Sequence, residues 1–250
     1  MHIFDTQIIS YSFKGLYHNS ISQQYIASIT AQEFLLIQSD YPTKANYYVP
    51  LPNNLKLLPD DKGFPKRDHP FSKGLTDQII LEFAQDYPTV IEFGNLAIAD
   101  IINTQEKYLF NEAIRFLEKP IRKIIWSRFN FLLDCNVKCI PLSQSTLELG
   151  IKLFYEFTLS HNTKQKYRNT VNDVLILATA INSSAVLITQ DSLLKRFASE
   201  YYNALIKEDK EFISLDFRSF SDDGRSKSRE SKGYINKGWQ VRMQNYTGIW

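Results

Sequence analysis

Short apolar runs that stop at an acid or a hydroxyl and pass at once into a helical pattern recur at both ends of this chain. Ile3-Phe4 ends at Asp5-Thr6, and a weak helical pattern follows over Gln7–Tyr17. Tyr25–Ile29 leads into a helix at Thr30–Ile37, Val137–Leu142 into Ser145–Thr158, and Ala185–Thr189 into Ser192–Tyr202. A further helix, Thr170–Asn182, feeds the last of these strands, and Phe212–Phe217 reads as an edge strand. Strands alternating with helices predict an α/β fold, a central parallel sheet with helices on both faces. At 250 residues this is one large domain, or one domain carrying an insertion.

The middle of the chain breaks the alternation. Pro, Asn, Asp and Lys crowd residues 39–77, and Leu58–Pro65 is turn chemistry. Helical stretches are expected near Thr76–Gln85, Phe93–Asn103 and Gln105–Leu133, the last broken or kinked at Pro120. Residues about 39–130 therefore read as a helical insertion, too poor in apolar residues to be an independent domain. The expected organisation is a core domain over 1–217 with that insertion, then a basic tail over 218–250. The tail has seven basic and three acidic residues, a net charge of +4, against −2 for the rest. Such a balance is compatible with a nucleic-acid partner, although a solvated Ser-rich tail explains it as well.

Composition excludes several classes. Hydrophobic residues at 44% and charged residues at 22% exclude wholesale disorder. The longest apolar runs, about eight residues as in Val174–Ile181, are far short of the ~18 of a membrane span. No charged segment followed by an apolar core opens the chain, so a cytoplasmic location without membrane attachment is expected. Cys135 and Cys139 make neither a disulfide framework nor a zinc site and read as core thiols.

Ligands of open α/β sheets bind at the carboxyl ends of the strands. Asp5 and Asp191 follow strands there, Glu33 opens the helix after the second strand, and Asp173 falls in the first turn of the helix from Thr170. Singly, each acid has an ordinary use. Glu33 completes a capping box with Thr30, Asp173 does so with Thr170, Asp191 caps the helix at Ser192, and Asp5 ends a strand. Together, four acids on one edge repel unless a cation lies among them. Oxygen ligands suit Mg²⁺ or Mn²⁺, which activate water and neutralise charge at a phosphodiester.

On four motifs the sequence resembles the PIN-domain nucleases: Ile3–Thr6, Ile26–Leu35, Asn172–Ala180 and Val186–Asp191. The resemblance covers about 1–38 and 135–200. It implies a Rossmann-like three-layer α/β/α fold and a Mg²⁺- or Mn²⁺-dependent endoribonuclease leaving 5′-phosphate and 3′-hydroxyl ends. It also implies that Asp5, Glu33, Asp173 and Asp191 are the catalytic, metal-binding acids, with Thr6 and Thr189 as supporting hydroxyls. The chain departs from many PIN-domain toxins by about 90 extra residues between the second and third motifs. The expected partner is RNA, single-stranded or structured. Single-stranded DNA, an inhibitory protein partner and a homodimer stay open. Alternatives are a PIN-like module that binds RNA or protein without cutting, and a toxin or defence effector silenced by a partner. Lys164, Lys166 and Arg168, shortly before Asp173, are candidate phosphate contacts. Lys62, Lys66, Arg67, His69 and Lys73, interleaved with Phe64 and Phe71, have the composition of a single-strand contact, with an ordinary surface loop the more economical reading.

Overall fold

A computed structural model describes residues 1–37, 77–83, 87–115, 117–163, 167–202, 204–219 and 240–244. The expectations for Lys62–Lys73, for Lys164 and Lys166, and for the tail apart from 218–219 and 240–244 lie outside these residues.

The alternation read from the sequence is the scaffold. Strands β1 (His2–Phe4), β2 (Tyr25–Ala27), β5 (Lys138–Ile140) and β6 (Val186–Thr189) are parallel, with β8 (Ile213–Asp216) and β7 (Leu205–Glu208) added antiparallel. The order is β5-β2-β1-β6-β8-β7, and β1 aligns Phe4 with Ile188 of β6. Phe212–Phe217, expected at the edge, supplies an inner strand; the edge is β7.

Successive strand residues point to opposite faces. Ile3, Ala27, Leu187 and Leu215 enter one core with α6 (Gln144–Ser160), α7 (Tyr167–Asn182) and α8 (Ser192–Tyr202). Phe4, Ile26 and Ile188 enter a second core with α1 (Thr6–Phe13), α3 (Asn95–Thr104), α4 (Lys107–Ala113) and α5 (Lys119–Asp134). The fold is mixed α/β with a mostly parallel central sheet, and among the described residues no helix is long and apolar enough to cross a membrane.

The insertion is not wholly helical. Gln78–Phe83, expected as helix, is strand β3, paired antiparallel with β4 (Tyr87–Phe93) and with β9 (Gln240–Gln244). Ile79, Leu81 and Phe83 are buried while Ile80 and Glu82 are partly exposed, a period of two. A short apolar run such as Ile79-Ile80-Leu81 is ambiguous by periodicity. Its strand partner comes from more than 150 residues downstream, in what read as a solvated tail. This small sheet is bound into the first core, where Phe83 meets Phe154, Tyr155 and Tyr167 at ring separations of 5.0, 6.3 and 6.3 Å. The break at Pro120 is a division into two helices. Pro120 is the second residue of α5, where its missing N–H costs nothing.

The insertion also clamps α2 (Ser28–Phe34), the helix carrying Glu33. Buried Asn95 accepts hydrogen bonds from the Ser28 hydroxyl (2.5 Å) and the Leu142 N–H (2.8 Å) and donates to the Leu142 carbonyl (3.0 Å). At the other end of α2, Arg128 Nη1 donates to the Phe34 carbonyl at 2.5 Å, and its guanidinium lies 5.3 Å from the Phe34 ring centre. Arg128 is thus drawn inward over the end of α2. Asn103 closes the outer edge of β5, exchanging two 2.8 Å hydrogen bonds with the Cys139 backbone. An amide that mimics a neighbouring strand protects an exposed edge.

Gly150 sets the contact of α6 with α7. A methyl group there would stand 2.5 Å from Leu175 Cδ2 and 3.8 Å from the Ala178 methyl. Gly150→Ala gains about 1 kcal/mol of helix propensity but forces buried Leu175 out of its rotamer, a cost of about 1–3 kcal/mol. We expect a net loss of about 1 kcal/mol and a larger one for Gly150→Val, measured as urea midpoints. A gain in midpoint for both variants would show that the helices separate freely.

Candidate functional site

The parallel strands bring three of the acids to one edge. Asp5 directly follows β1, Asp191 lies two residues beyond β6, and Glu33 stands on α2, which starts as β2 ends. The Asp5 N–H donates to the Ile188 carbonyl at 3.0 Å, so the ends of β1 and β6 are locked together.

Asp5 is buried, 5% exposed, and caps α1. Oδ1 accepts from the Thr6 N–H at 2.6 Å, and Oδ2 from the Thr189 hydroxyl at 2.7 Å. Thr189 Oγ1 in turn accepts from the Asp191 N–H at 3.0 Å. Glu33 is held by two donors. The Thr6 hydroxyl donates to Oε2 at 2.5 Å, and Asn172 Nδ2 donates to Oε1 at 2.7 Å. Thr6 thus joins the two carboxylates, touching Asp5 with its backbone and Glu33 with its side chain. Both hydroxyls singled out in the sequence, Thr6 and Thr189, bond to the acids beside them.

The ordinary uses of these acids divide. Asp191 does cap α8: its Oδ1 accepts from the Leu193 and Leu194 N–H groups at 2.8 and 2.9 Å. Glu33 makes no capping box, because α2 starts at Ser28 and has no side-chain cap. Asp173 is not in a first turn, since α7 starts at Tyr167. The side chain that α7 sends to Glu33 is Asn172, and Asp173 leaves the helix about 100° further round. Among the described residues no three His, Cys, Asp or Glu side chains come together as a metal-binding group. Asp5 and Glu33 are thus joined through Thr6, while Asp191 is held as the cap of α8.

Two negative groups, Asp5 and Glu92, act on Glu33. Burial, above all, pushes the Glu33 carboxyl from its ordinary 4.5 up to about 6; the Thr6 and Asn172 hydrogen bonds oppose this, while the charges of Asp5 and Glu92 add to it. A carboxyl raised by folding makes the native state bind the extra proton between those two values. Stability is then greatest below about 4.5 and falls as pH rises through about 6. Glu33→Gln keeps an acceptor for Asn172 and a partner for Thr6 without the charge. Its stability is expected to lose this slope and to exceed that of the wild type at pH 7–8, as thermal melts across pH would measure. Parallel melting curves for the two proteins would place Glu33 in a more solvated site.

Arg168, expected in a loop ready for phosphate, lies in the first turn of α7, 4% exposed. Its Nε and Nη2 donate to Oε1 of Glu92 on β4 at 3.0 and 2.5 Å. Asn172 and Glu92 were not singled out in the sequence. Arg168 and Asn172 stand four apart in a helix otherwise buried along most of its length. That i, i+4 polar stripe was the legible signal for Asn172; nothing local marks Glu92.

The side chains of the four acids offer oxygen donors only. Oxygen donors suit a hard divalent cation, and of the four acids Asp5 and Glu33 are the two that hydrogen bonds through Thr6 bring together. Comparison of the chain with protein-family models, with curated proteins and with solved structures gives no match.

Proposed function

We propose that the chain is a PIN-like, metal-dependent endoribonuclease whose site is the acidic carboxyl edge of the central sheet. One observation carries this reading: Asp5, the residue after β1, is linked by hydrogen bonds to Thr6 and Glu33 on one side and to Thr189 and the Asp191 backbone on the other. Structural needs alone would be met by one capping acid per helix. Glu33 caps nothing, is half-buried, and is held by two side-chain donors. A bound Mg²⁺ or Mn²⁺ would supply charge neutralisation at the scissile phosphodiester and a water made acidic enough to attack. Thr6 and Asn172 orient Glu33 by occupying one lone pair on each of its oxygens, and a carboxylate has about four such sites. Thr189 likewise fixes the plane of Asp5. A carboxyl raised to about 6 becomes ionised near neutral pH, where a cation beside it favours the charged form.

A second reading, a PIN-like module that binds RNA or protein without cutting, is favoured by the use of Asp191 as a helix cap and by the absence of a metal-binding group among the described residues. Incubation of the whole chain with mixed-sequence RNA and single-stranded DNA, in Mn²⁺, Mg²⁺ or EDTA, separates the two. The nuclease reading expects RNA shortened to 5′-phosphorylated fragments in Mn²⁺ or Mg²⁺ and left whole in EDTA. RNA retained but intact supports the second reading, and RNA neither bound nor cut rejects nucleic-acid binding in both.

A further inference from the structure

We propose that the buried pair Glu92–Arg168 is a positioning device, by which the β3–β4–β9 sheet holds α7 in the register that sets Asn172 against Glu33. Its functional meaning rests on the acidic-edge reading above; its geometry does not.

The path is continuous. β9 is hydrogen-bonded to β3, and β3 to β4. From β4 two tethers run to consecutive residues in the first turn of α7. The Tyr167 hydroxyl donates to the Pro88 carbonyl at 2.7 Å, and the Arg168 guanidinium forks onto Glu92 Oε1 at 3.0 and 2.5 Å. Asn172 is one turn beyond Arg168 and meets Glu33 at 2.7 Å. Residues four apart on a helix share a face, so the helix is gripped on the side that carries Asn172.

Stability gives a poor reason for the pair. Glu92 and Arg168 are 3% and 4% exposed, and removing two charges from water costs several kcal/mol per ion. Apolar residues of similar volume usually serve stability as well or better. A guanidinium fork has what they lack, a fixed direction. Leu or Met packed in the same space would leave α7 able to turn or slide by the fraction of an ångström that a 2.7 Å hydrogen bond registers. The insertion thereby becomes part of the acidic edge: its strands align α7, while its Asn95 and Arg128 hold the two ends of α2.

The test uses the whole chain carrying Glu92→Leu/Arg168→Met, which removes both charges together, with Glu92→Gln/Arg168→Gln, which also removes both charges, as the second variant should the first fail to fold. Two signals are followed by NMR. One is the side-chain amide of Asn172, identified by its disappearance in Asn172→Asp. The other is line broadening on titration with Mn²⁺. We expect a urea midpoint at or above that of the wild type, an Asn172 amide moved towards the position of a solvated amide, and Mn²⁺ affinity lower by about 10–100-fold. Arg168→Lys, which keeps the charge without the fork, is expected to fall between. An Asn172 amide unmoved in these variants overturns the proposal, whatever Mn²⁺ does. A wild-type chain that gives no Mn²⁺ broadening defeats the metal reading of the edge, and the amide shift still decides the positioning.

Discussion

Asp5→Asn is expected to abolish metal-dependent cleavage and leave the fold standing. The amide oxygen still accepts from the Thr6 N–H, which keeps the cap on α1. On the other side the new NH₂ meets Thr189 Oγ1. That hydroxyl donates to Asp5 in the wild type and can rotate to accept instead, alongside the Asp191 N–H. The charge is lost, and the one hydrogen bond to be remade is that of the buried Thr189 hydroxyl proton. A metal site deprived of one carboxylate loses several kcal/mol of transition-state stabilisation, and about 4 kcal/mol corresponds to a rate lower by ~10³-fold. The same change removes a negative neighbour from Glu33, so the Glu33 carboxyl moves down towards its ordinary range. Two measurements check this together: RNA cleavage in Mn²⁺, and the pH dependence of thermal unfolding. Full cleavage by a folded Asp5→Asn protein would remove Asp5 from the site.

Asn95→Ala is expected to be among the most destabilising single truncations in the chain. Asn95 is 1% exposed and satisfies three other groups: the Ser28 hydroxyl and the N–H and carbonyl of Leu142. Each buried polar group left without a partner costs about 1–3 kcal/mol. The expected loss is about 3–5 kcal/mol, a large part of the ~5–15 kcal/mol that holds a domain together. Asn95→Asp provides the control, since it still accepts from Ser28 and the Leu142 N–H but cannot donate to the Leu142 carbonyl, and it adds a buried charge. Denaturant titration of both variants gives the comparison. A loss under about 1 kcal/mol for Asn95→Ala would mean that water enters and replaces the amide. Because Asn95 anchors the start of α2, cleavage in the proposed reaction should fall in this variant even at temperatures where it stays folded.

These two residues mark the limit of what was legible. Asp5 was visible because its role is written locally: two apolar residues, an acid, a hydroxyl, then a helix. Thr6, Thr189 and Asp191 follow the same local rule. Asn95 was invisible because nothing near it in sequence announces that it will bridge α2 to the turn after β5. Asn172 had a local signal, its place four residues after Arg168 on a mostly buried helix, and was passed over for its acidic neighbour. Moving the start of α7 from Thr170 to Tyr167 takes Asp173 out of the first turn, and a helix places consecutive residues about 100° apart.

Hydrophobic alternation by itself determined the α/β class, the four parallel strands and the strand ends that Asp5 and Asp191 follow. Those features depend on local periodicity and on the right-handed crossovers that parallel strands require. Tertiary structure alone decided that Gln78–Phe83 is a strand. Its partners are Tyr87–Phe93 and Gln240–Gln244, and a strand is stabilised by neighbours rather than by its own backbone. It also decided that Arg168 turns inward to Glu92 rather than outward to solvent. A guanidinium is buried where an acceptor is buried with it, and that acceptor came from a strand 76 residues away in sequence.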